Sequence, residues 1–527
     1  MKSATRAIQV ITLVVTGLGA FMVLLDGSIV LVALPTIQAS LHAQLSDLQW
    51  TVDAYNLPFA ALMLTAGTLG DRFGRKRIFL LGLVLFLIGS LLCGFASTLG
   101  WLIFGRVVQG MGAAALSPGS LSLLVSTFSE PRARAQAIGI WSGISGVSLA
   151  AGPLVGGLII QSGSWPAIFF LNVPIGLVAL ALGWPLLVDS RNPNAQQIDL
   201  PGQVLVISGL TCLIMALIQG SSQGWTSPLI LGLFVGSAVL LGAFLLVETR
   251  VREPLLPLHL FANRVFLVAN LAAAFLGFVI VGAMFFLPQY FQAVQGGTAL
   301  DAGLRLLPIT LSIFVVSPFA ARLTDRLGPR PPIILGALLA AGGALLLMGL
   351  EPNSDYATLW WKLGLLGIGI GFMFAPLTVA VISATPAARA GLGSSVLNTF
   401  RLVGFTLGAA VLGTFVLLQF SGNIASQLVQ RGVSGATSAT IASKIASAGA
   451  QASQVPRSGR LPLSPAVLHQ VIGQAFVDAV HGSFLISAIC MIITALLVGL
   501  LIGKIQRATS KSREETDEPV TPGAIAV

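Results

Sequence analysis

Four ionisable side chains stand inside apolar stretches of this chain, where a charge is costly and normally has a partner or a task. Asp26 lies in Phe21-Met-Val-Leu-Leu-Asp26-Gly-Ser28-Ile-Val. Counted at ~1.5 Å per residue, it sits ~25 Å into its apolar run. Arg106, in Leu102-Ile-Phe-Gly105-Arg106-Val-Val-Gln109-Gly110, reaches a similar depth when counted from the opposite face. A guanidinium does not readily give up its charge, so an acid at its own depth is its expected partner. Such a pair serves either as a structural ion pair or as a proton or cation site. A rearrangement that separates the two changes the affinity of the carboxylate for a proton, which is a physical route to proton coupling. Asp53, in Trp50-Thr-Val-Asp53-Ala-Tyr55-Asn56, falls near the end of a second run. It is either a solvated acid favoured by the helix dipole or, with Asn56, part of the same polar site. Arg401, in Asn398-Thr-Phe-Arg401-Leu-Val-Gly404, has no acid clearly at its depth and reads as structural.

These residues need membrane helices to position them. The chain has 527 residues, is 55% hydrophobic and only 9% charged. Soluble domains carry about 25% charged residues, so the exterior here must face lipid. About 20 apolar residues cross a bilayer as a helix. That length divides the chain into 14 spans: 9–34, 50–69, 78–97, 100–123, 137–160, 168–188, 201–220, 229–247, 265–287, 304–321, 332–350, 359–381, 392–417 and 476–503. The first is too long for a signal peptide and reads as an uncleaved span.

One loop phrase occurs twice. Gly67-Thr68-Leu69-Gly70-Asp71-Arg72-Phe73-Gly74-Arg75-Lys76-Arg77 follows the second span, and Arg322-Leu323-Thr324-Asp325-Arg326-Leu327-Gly328-Pro329-Arg330 follows the tenth. A repeat at that distance indicates duplicated bundles, the usual plan of secondary transporters. The fold class expected is therefore all-α integral membrane, with two six-helix bundles and two inserted helices. Residues 1–190 form the first bundle, 191–258 a linker with the two extra spans, and 259–503 the second bundle. The second bundle carries a long external loop at 418–475, and 504–527 is a cytoplasmic tail. Gly67, Asp71, Arg72 and Gly74, with Asp325 and Arg326 in the second copy, are expected to lock loop geometry and gate conformational change. Span five is rich in glycine around Pro153, with Gly146, Gly152, Gly156 and Gly157 allowing close helix approach and the proline a kink.

Charge sets the orientation. Alternate loops on one side hold 20 of the 28 Lys and Arg residues, and the other side holds 6. The positive-inside bias then places both termini in the cytoplasm, in a multi-pass protein of the inner membrane. The same bias accounts for the net charge of +10 without nucleic acid. Cys93, Cys212 and Cys490 are spaced neither as metal ligands nor as a disulfide set, and His42, His259, His469 and His481 are scattered. No cofactor or metal is expected. The glycines at 364, 367, 369 and 371 lie in an apolar helix and follow no strand, so they do not read as a nucleotide fingerprint.

Four of these segments resemble a known family. Gly67–Arg77 is similar to the loop signature of the major facilitator superfamily, Arg106-Val-Val-Gln109-Gly110-Met-Gly112 to its span-four motif, and Gly146–Gly157 to the span-five motif of its antiporters. Leu25-Asp26-Gly27-Ser28-Ile29-Val30-Leu31-Val32-Ala33-Leu34-Pro35 and Phe170-Leu171-Asn172-Val173-Pro174-Ile175-Gly176 resemble the 14-span drug:proton antiporters of the QacA/EmrB-like type. The resemblance implies proton-coupled efflux of hydrophobic, cationic compounds by alternating access. It implies proton coupling or cation recognition at Asp26 and Arg106, a kink at Gly152 and Pro153, and gating at Asp71. The partners expected are small substrates, protons and the lipid bilayer, with the chain a monomer. A dedicated exporter of one lipid, antibiotic or metabolite is the competing expectation.

Overall fold

The computed structural model describes residues 2–502, apart from 129, 163, 191–198, 252, 253, 255, 257, 386–389, 432 and 449–464. Among the described residues every regular element is helical. The helices are α1 (Lys2–Leu41), α2 (Leu45–Phe73), α3 (Arg75–Gly94), α4 (Leu99–Thr127), α5 (Pro131–Ser162), α6 (Ala167–Phe170) and α7 (Asn172–Leu186). They continue with α8 (Leu200–Gln223), α9 (Pro228–Glu248), α10 (Arg264–Gln289), α11 (Ala299–Leu327), α12 (Arg330–Leu347), α13 (Tyr356–Ser383), α14 (Ala390–Gln430), α15 (Gly435–Ala448) and α16 (Pro465–Leu501). Leu171 keeps helical angles, so α6 and α7 run on as one rod.

Twelve helices among the described residues are long and apolar enough to cross a membrane. The expectation of 14 spans is not confirmed, α2 and α5 being the two expected spans outside this count. Helix α2 carries Asp47, Asp53, Asp71 and Arg72 along its length. Helix α5 runs over Pro131–Ser162, but many of its side chains before Ala151 lie outside the described residues. Helices α8 and α9, expected as the extra spans, lie within a few residues of 201–220 and 229–247.

Local chemistry sets the helix ends. Thr298 and Asp301 form a reciprocal capping box at the start of α11, and Ser227 and Asp355 accept from backbone N–H groups at the starts of α9 and α13. Both copies of the repeated phrase break a helix at a glycine with positive φ, +115° at Gly74 and +79° at Gly328. Side chains rarely adopt that backbone, which is why the phrase needs glycine there.

The expected loop at 418–475 is largely helical. Helix α14 runs to Gln430, α15 follows, and α16 begins at Pro465. Residues 449–464, and the tail 504–527, lie outside the described residues, as does the core of the linker at 191–198.

Packing separates the helices into groups. Helices α1–α7 pack among themselves, as do α10–α14 with α16, while α9 packs on α8. Large apolar side chains such as Val235, Val239 and Leu246 of α9 stay exposed, as lipid contact requires.

The groups meet unevenly along their length. We call the two ends by the turns at His42 and Gly74. A single core joins Ile29–Leu34 of α1 and Cys93, Leu102 and Phe169 to the interior of the second group. All of these lie towards the His42 end. The Gly74-side half of the first group has a separate core, built from Val15, Met22, Phe59, Met63 and Phe79. Backbones touch at the His42 end. A Cβ on Gly303 of α11 would fall 2.1 Å from the Pro153 carbonyl oxygen of α5, and one on Gly157 would fall 2.6 Å from Leu300 Cα. Gln292 Nε2 donates to the Val32 carbonyl (2.9 Å), and Gln49 Nε2 to the Ala409 carbonyl (3.2 Å).

Candidate functional site: a buried carboxylate–guanidinium cage

Helix α4 builds one wall of the site. Its residues Arg106 and Gln109 stand three apart and share a face, while Gly110 and Gly112 let neighbours come close. A Cβ on Gly110 would fall 2.3 Å from the Tyr55 carbonyl oxygen of α2, and one on Gly112 would fall 2.5 Å from Phe86 N of α3. These close approaches draw α2, with Tyr55, and α3, with Ser90, onto the polar face of α4. Helix α1 supplies Asp26, and α7 supplies Asn172 from its first turn.

The side chains form one closed network. Arg106 Nη1 donates to Asp26 Oδ2 at 2.5 Å, with the two side chains 2% and 0% exposed. Arg106 Nη1 also donates to Gln109 Oε1 (2.8 Å), and Nε to the Thr51 carbonyl (3.2 Å). Asp26 Oδ1 accepts from Gln109 Nε2 (2.7 Å) and Asn172 Nδ2 (3.0 Å). Both amides also donate to Ser90 Oγ, at 3.0 and 3.4 Å. The Tyr55 ring covers the guanidinium with its centroid 4.2 Å from Cζ, and the Tyr55 hydroxyl donates to the Val23 carbonyl (3.2 Å). A buried pair stays ionised only when its remaining donors and acceptors are met. Here they are.

Depth counting thus puts Asp26 and Arg106 together and misses the other members of the cage. Gln109 and Asn172 sit inside motifs already singled out, so their spacing was the available signal. Ser90 carries no signal in its own sequence.

Asp53 is elsewhere, and the solvated helix-end reading does not hold. It is fully buried, and neither carboxylate oxygen has a hydrogen-bond partner among the described residues. The helical register shows what it faces. One turn earlier, Gln49 reaches Ala409 of α14; one turn later, Leu57 packs with Ile214 and Ile218 of α8 and Ala410 of α14. Asp53 therefore points into the seam where α2 meets α14 and α8. Asn56 is half-buried, and its side chain forms no hydrogen bond among the described residues.

Arg401 also has no carboxylate within 4.0 Å among the described residues. Its Nη2 donates to Asn398 Oδ1 of its own helix, and its Cζ lies 4.8 Å from the Phe374 ring centroid of α13.

The glycines of α5 serve two neighbours. A Cβ on Gly152 would fall 1.9 Å from Ser28 Oγ, and one on Gly156 would fall 2.8 Å from Ile29 Cγ1, both on α1. Gly157 faces α11 instead. Pro153 lies inside the helix, and Gly146 lies in the same helix with its surroundings outside the described residues.

At the Gly74 end, Asp71 accepts from Arg75 Nε at 2.8 Å, and Arg72 is exposed. Gly67 lies in open packing, its nearest neighbour being Pro118 Cβ at 3.9 Å from a built Cβ. Asp189, which sequence reasoning passed over, is the second anchor of this loop. It pairs with Arg77 at 3.4 Å and accepts from the Lys76 backbone N–H at 3.3 Å. A Cβ on Gly74 would meet its carboxylate at 2.6 Å. In the second copy Arg326 is exposed and the Asp325 side chain lies outside the described residues. There the anchor is Arg330, whose guanidinium donates to the Gly499 carbonyl.

The profile of the Major Facilitator Superfamily matches residues 16–409. The chain is 37% identical over 400 residues to "Multidrug resistance protein Stp" of Mycobacterium tuberculosis (strain CDC 1551 / Oshkosh), covering 76% of this chain and 74% of that protein. It is 34% identical over 490 residues to the tetracenomycin C resistance and export protein of Streptomyces glaucescens, covering 92% and 90%. Among solved structures, a bacterial homolog to the human lysosomal transporter Spinster superposes with a TM-score of 0.63 at 19% identity, over 95% of this chain and 97% of that one. That likeness speaks to the fold, which is the all-helical transporter fold. On these matches the chain belongs to the major facilitator superfamily and is a membrane transporter rather than an enzyme.

Proposed function

We propose that this transporter exports hydrophobic small molecules, cationic drugs among them, in exchange for protons. The names of two relatives, multidrug resistance for one and tetracenomycin C resistance and export for the other, support export of drugs. The observation that carries proton coupling is the pair of buried acids with opposite surroundings. Asp26 is caged by Arg106, Gln109 and Asn172, whereas Asp53 is buried in an inter-helix seam with no partner.

Burying an ionised carboxylate costs several kcal/mol, and a bound proton removes that cost. On this reading Asp53 accepts a proton while the seam between α2 and α14 is wet, and the neutral side chain lets the seam close. Asp26 and Arg106 hold the first group rigid and sense that change through Thr51 and Tyr55, which flank Asp53 on α2. Asp71, Arg72 and the Gly67–Gly74 loop, with Asp325 and Arg326 opposite, latch the other end.

The architecture goes with it. Helices α1–α5, the α6–α7 rod, α8–α14 and α16 make 14 spans, with 1–190 and 259–503 as the two moving bundles and 191–258 as the inserted hairpin. The excess of basic loops supports a cytoplasmic Gly74 end and cytoplasmic termini in an inner-membrane protein, which on this reading works as a monomer. The His42 end is then external, and it is the closed end. One observation favours a narrower reading. The relative aligned over 92% of this chain is named for a single antibiotic.

The test is efflux of several dyes from proteoliposomes with and without an imposed pH gradient. Gradient-driven export of multiple dyes, lost in Asp53→Asn and Asp26→Asn, is expected. Full gradient-driven transport by either variant, or transport indifferent to the gradient, refutes the coupling scheme. Export of one compound alone selects the narrower reading.

A further inference from the structure

Among the described residues two arginines, Arg106 and Arg401, lie deep in this membrane protein, and only Arg106 has a carboxylate within 4.0 Å. The Arg401 backbone oxygen lies against α10, where a Cβ on Gly277 would fall 2.2 Å from it. Gly277 is about 20 Å along α10 from its start at Arg264, at ~1.5 Å per residue. That is beyond the reach of an arginine side chain to the membrane surface. Guanidinium groups at such depth face a cavity or a partner.

The side chain of Arg401 is half-buried, so part of it meets open space. Its surroundings say which space. Helix α14 is packed by α2 and α8 on one flank and by α10 and α16 on another. The next residue, Leu402, packs on the core of the first group. Phe374 reaches Arg401 from α13. The open side therefore lies between α13 and the first group, in the cleft that the separate core at the Gly74 end leaves between the two groups. A guanidinium has five N–H donors, and the only acceptor it meets among the described residues is Asn398 Oδ1.

We propose that Arg401, with Phe374 beside it, is a subsite for the acidic group of an aromatic substrate, a carboxylate or a phenolate. The planar fork of arginine matches a carboxylate with two parallel hydrogen bonds, and the Phe374 face takes an adjoining ring. The subsite rests on the transport reading above and extends it, because that reading names hydrophobic and cationic compounds only. Asn398 is its positioning residue. It holds one edge of the guanidinium from the preceding helical turn and leaves the other edge to the cleft.

A matched pair of probes tests it: a xanthene dye as the free carboxylate and as its ethyl ester, assayed in proteoliposomes under one pH gradient. The readout is the ratio of kcat/KM for acid over ester. Arg401→Gln is expected to lower that ratio about 10- to 100-fold, the worth of hydrogen bonds to a charged group. Arg401→Lys keeps the charge without the fork and should fall between. Asn398→Asp is the independent variant. It places a carboxylate beside the guanidinium, occupies it internally and should lower the same ratio without emptying the site. Ratios within about twofold of the parent in both Arg401→Gln and Asn398→Asp overturn the subsite while leaving the transport reading intact. Equal losses for acid and ester in both variants make Arg401 a structural residue and also overturn it. Gradient-independent uptake of both dyes by the unaltered protein removes the transport reading and the subsite with it.

Discussion

Replacing both members of the Asp26–Arg106 pair should restore most of the stability that replacing either one removes. The pair is 2.5 Å apart, and its side chains are 0% and 2% exposed. Removing one partner of such a pair leaves an uncompensated buried charge and typically costs ~3–5 kcal/mol. Asp26→Leu belongs near the lower end. Arg106 would keep Gln109 Oε1 at 2.8 Å, the Thr51 carbonyl at 3.2 Å and the Tyr55 ring at 4.2 Å. Arg106→Met belongs near the upper end only if Asp26 stays ionised, because Gln109 and Asn172 still donate to it. In Asp26→Leu/Arg106→Met no charge remains, and the two amides keep Ser90 at 3.0 and 3.4 Å. We expect the double variant within ~1–2 kcal/mol of the parent, since apolar replacement of a buried pair is often neutral. Unfolding by denaturant of purified protein in bicelles measures all four corners of the cycle. Transport should be absent in all three variants, which separates the role of the pair in coupling from its role in holding the helices. A double variant destabilised by the sum of the singles would refute the reasoning.

Three further outcomes follow from distances already given. Gly303→Ala pushes a methyl into the Pro153 carbonyl at 2.1 Å, so α5 and α11 must part at a cost of ~1–3 kcal/mol. An Ala299→Cys reporter, in a background without Cys93, Cys212 and Cys490, should then label faster with an impermeant thiol reagent; an unchanged rate counts against closure at that contact. Asp71→Asn removes an ion pair whose side chains are 37% and 23% exposed, so stability should change by less than ~1 kcal/mol while transport falls. Equal transport by that variant in a turnover assay would deny the loop a gating role. Gly110→Ala, 2.3 Å from the Tyr55 carbonyl, should separate α2 from α4, lift Tyr55 off Arg106 and lower both stability and turnover. Retained turnover with a stable fold would show that the close approach is dispensable.

How legible the molecule was depends on the scale of the signal. Spans of apolar residues, and the depths of Asp26 and Arg106 within them, follow from a one-dimensional count, so those were readable. Helices α8 and α9, near 201–220 and 229–247, were readable for the same reason. Asp53 was misplaced because counting gives depth and not direction. Its burial comes from α14 and α8, which are far away in sequence. Asp189 was missed because its partner loop is fixed by the fold, and nothing local marks it. The extension of α14 to Gln430 was read as loop because Ser- and Gly-containing sequence outside lipid lowers apparent hydropathy without preventing a helix. Arg401 was read as structural from the lack of an acid at its depth. The same lack, beside Phe374 and an open flank, is what gives it a ligand-facing role.

Helix α8 has a lateral consequence. Towards the Gly74 end, Gln203 accepts from Thr65 and donates to the Ala61 carbonyl (2.6 Å), both on α2. Towards the other end, Thr414 of α14 donates to the Leu217 carbonyl at 2.8 Å. Between these ties it closes a small apolar pocket over Leu57, Ala60, Val403, Thr406 and Leu407. Helix α8 is thus a gasket laid along the joint of α2 and α14. A fatty acyl chain, or a lipophilic compound dissolved in the leaflet, finds that flank caulked. Among the described residues neither α8 nor α9 packs on the opposite joint, α5 against α11, so this seal lies on one side only.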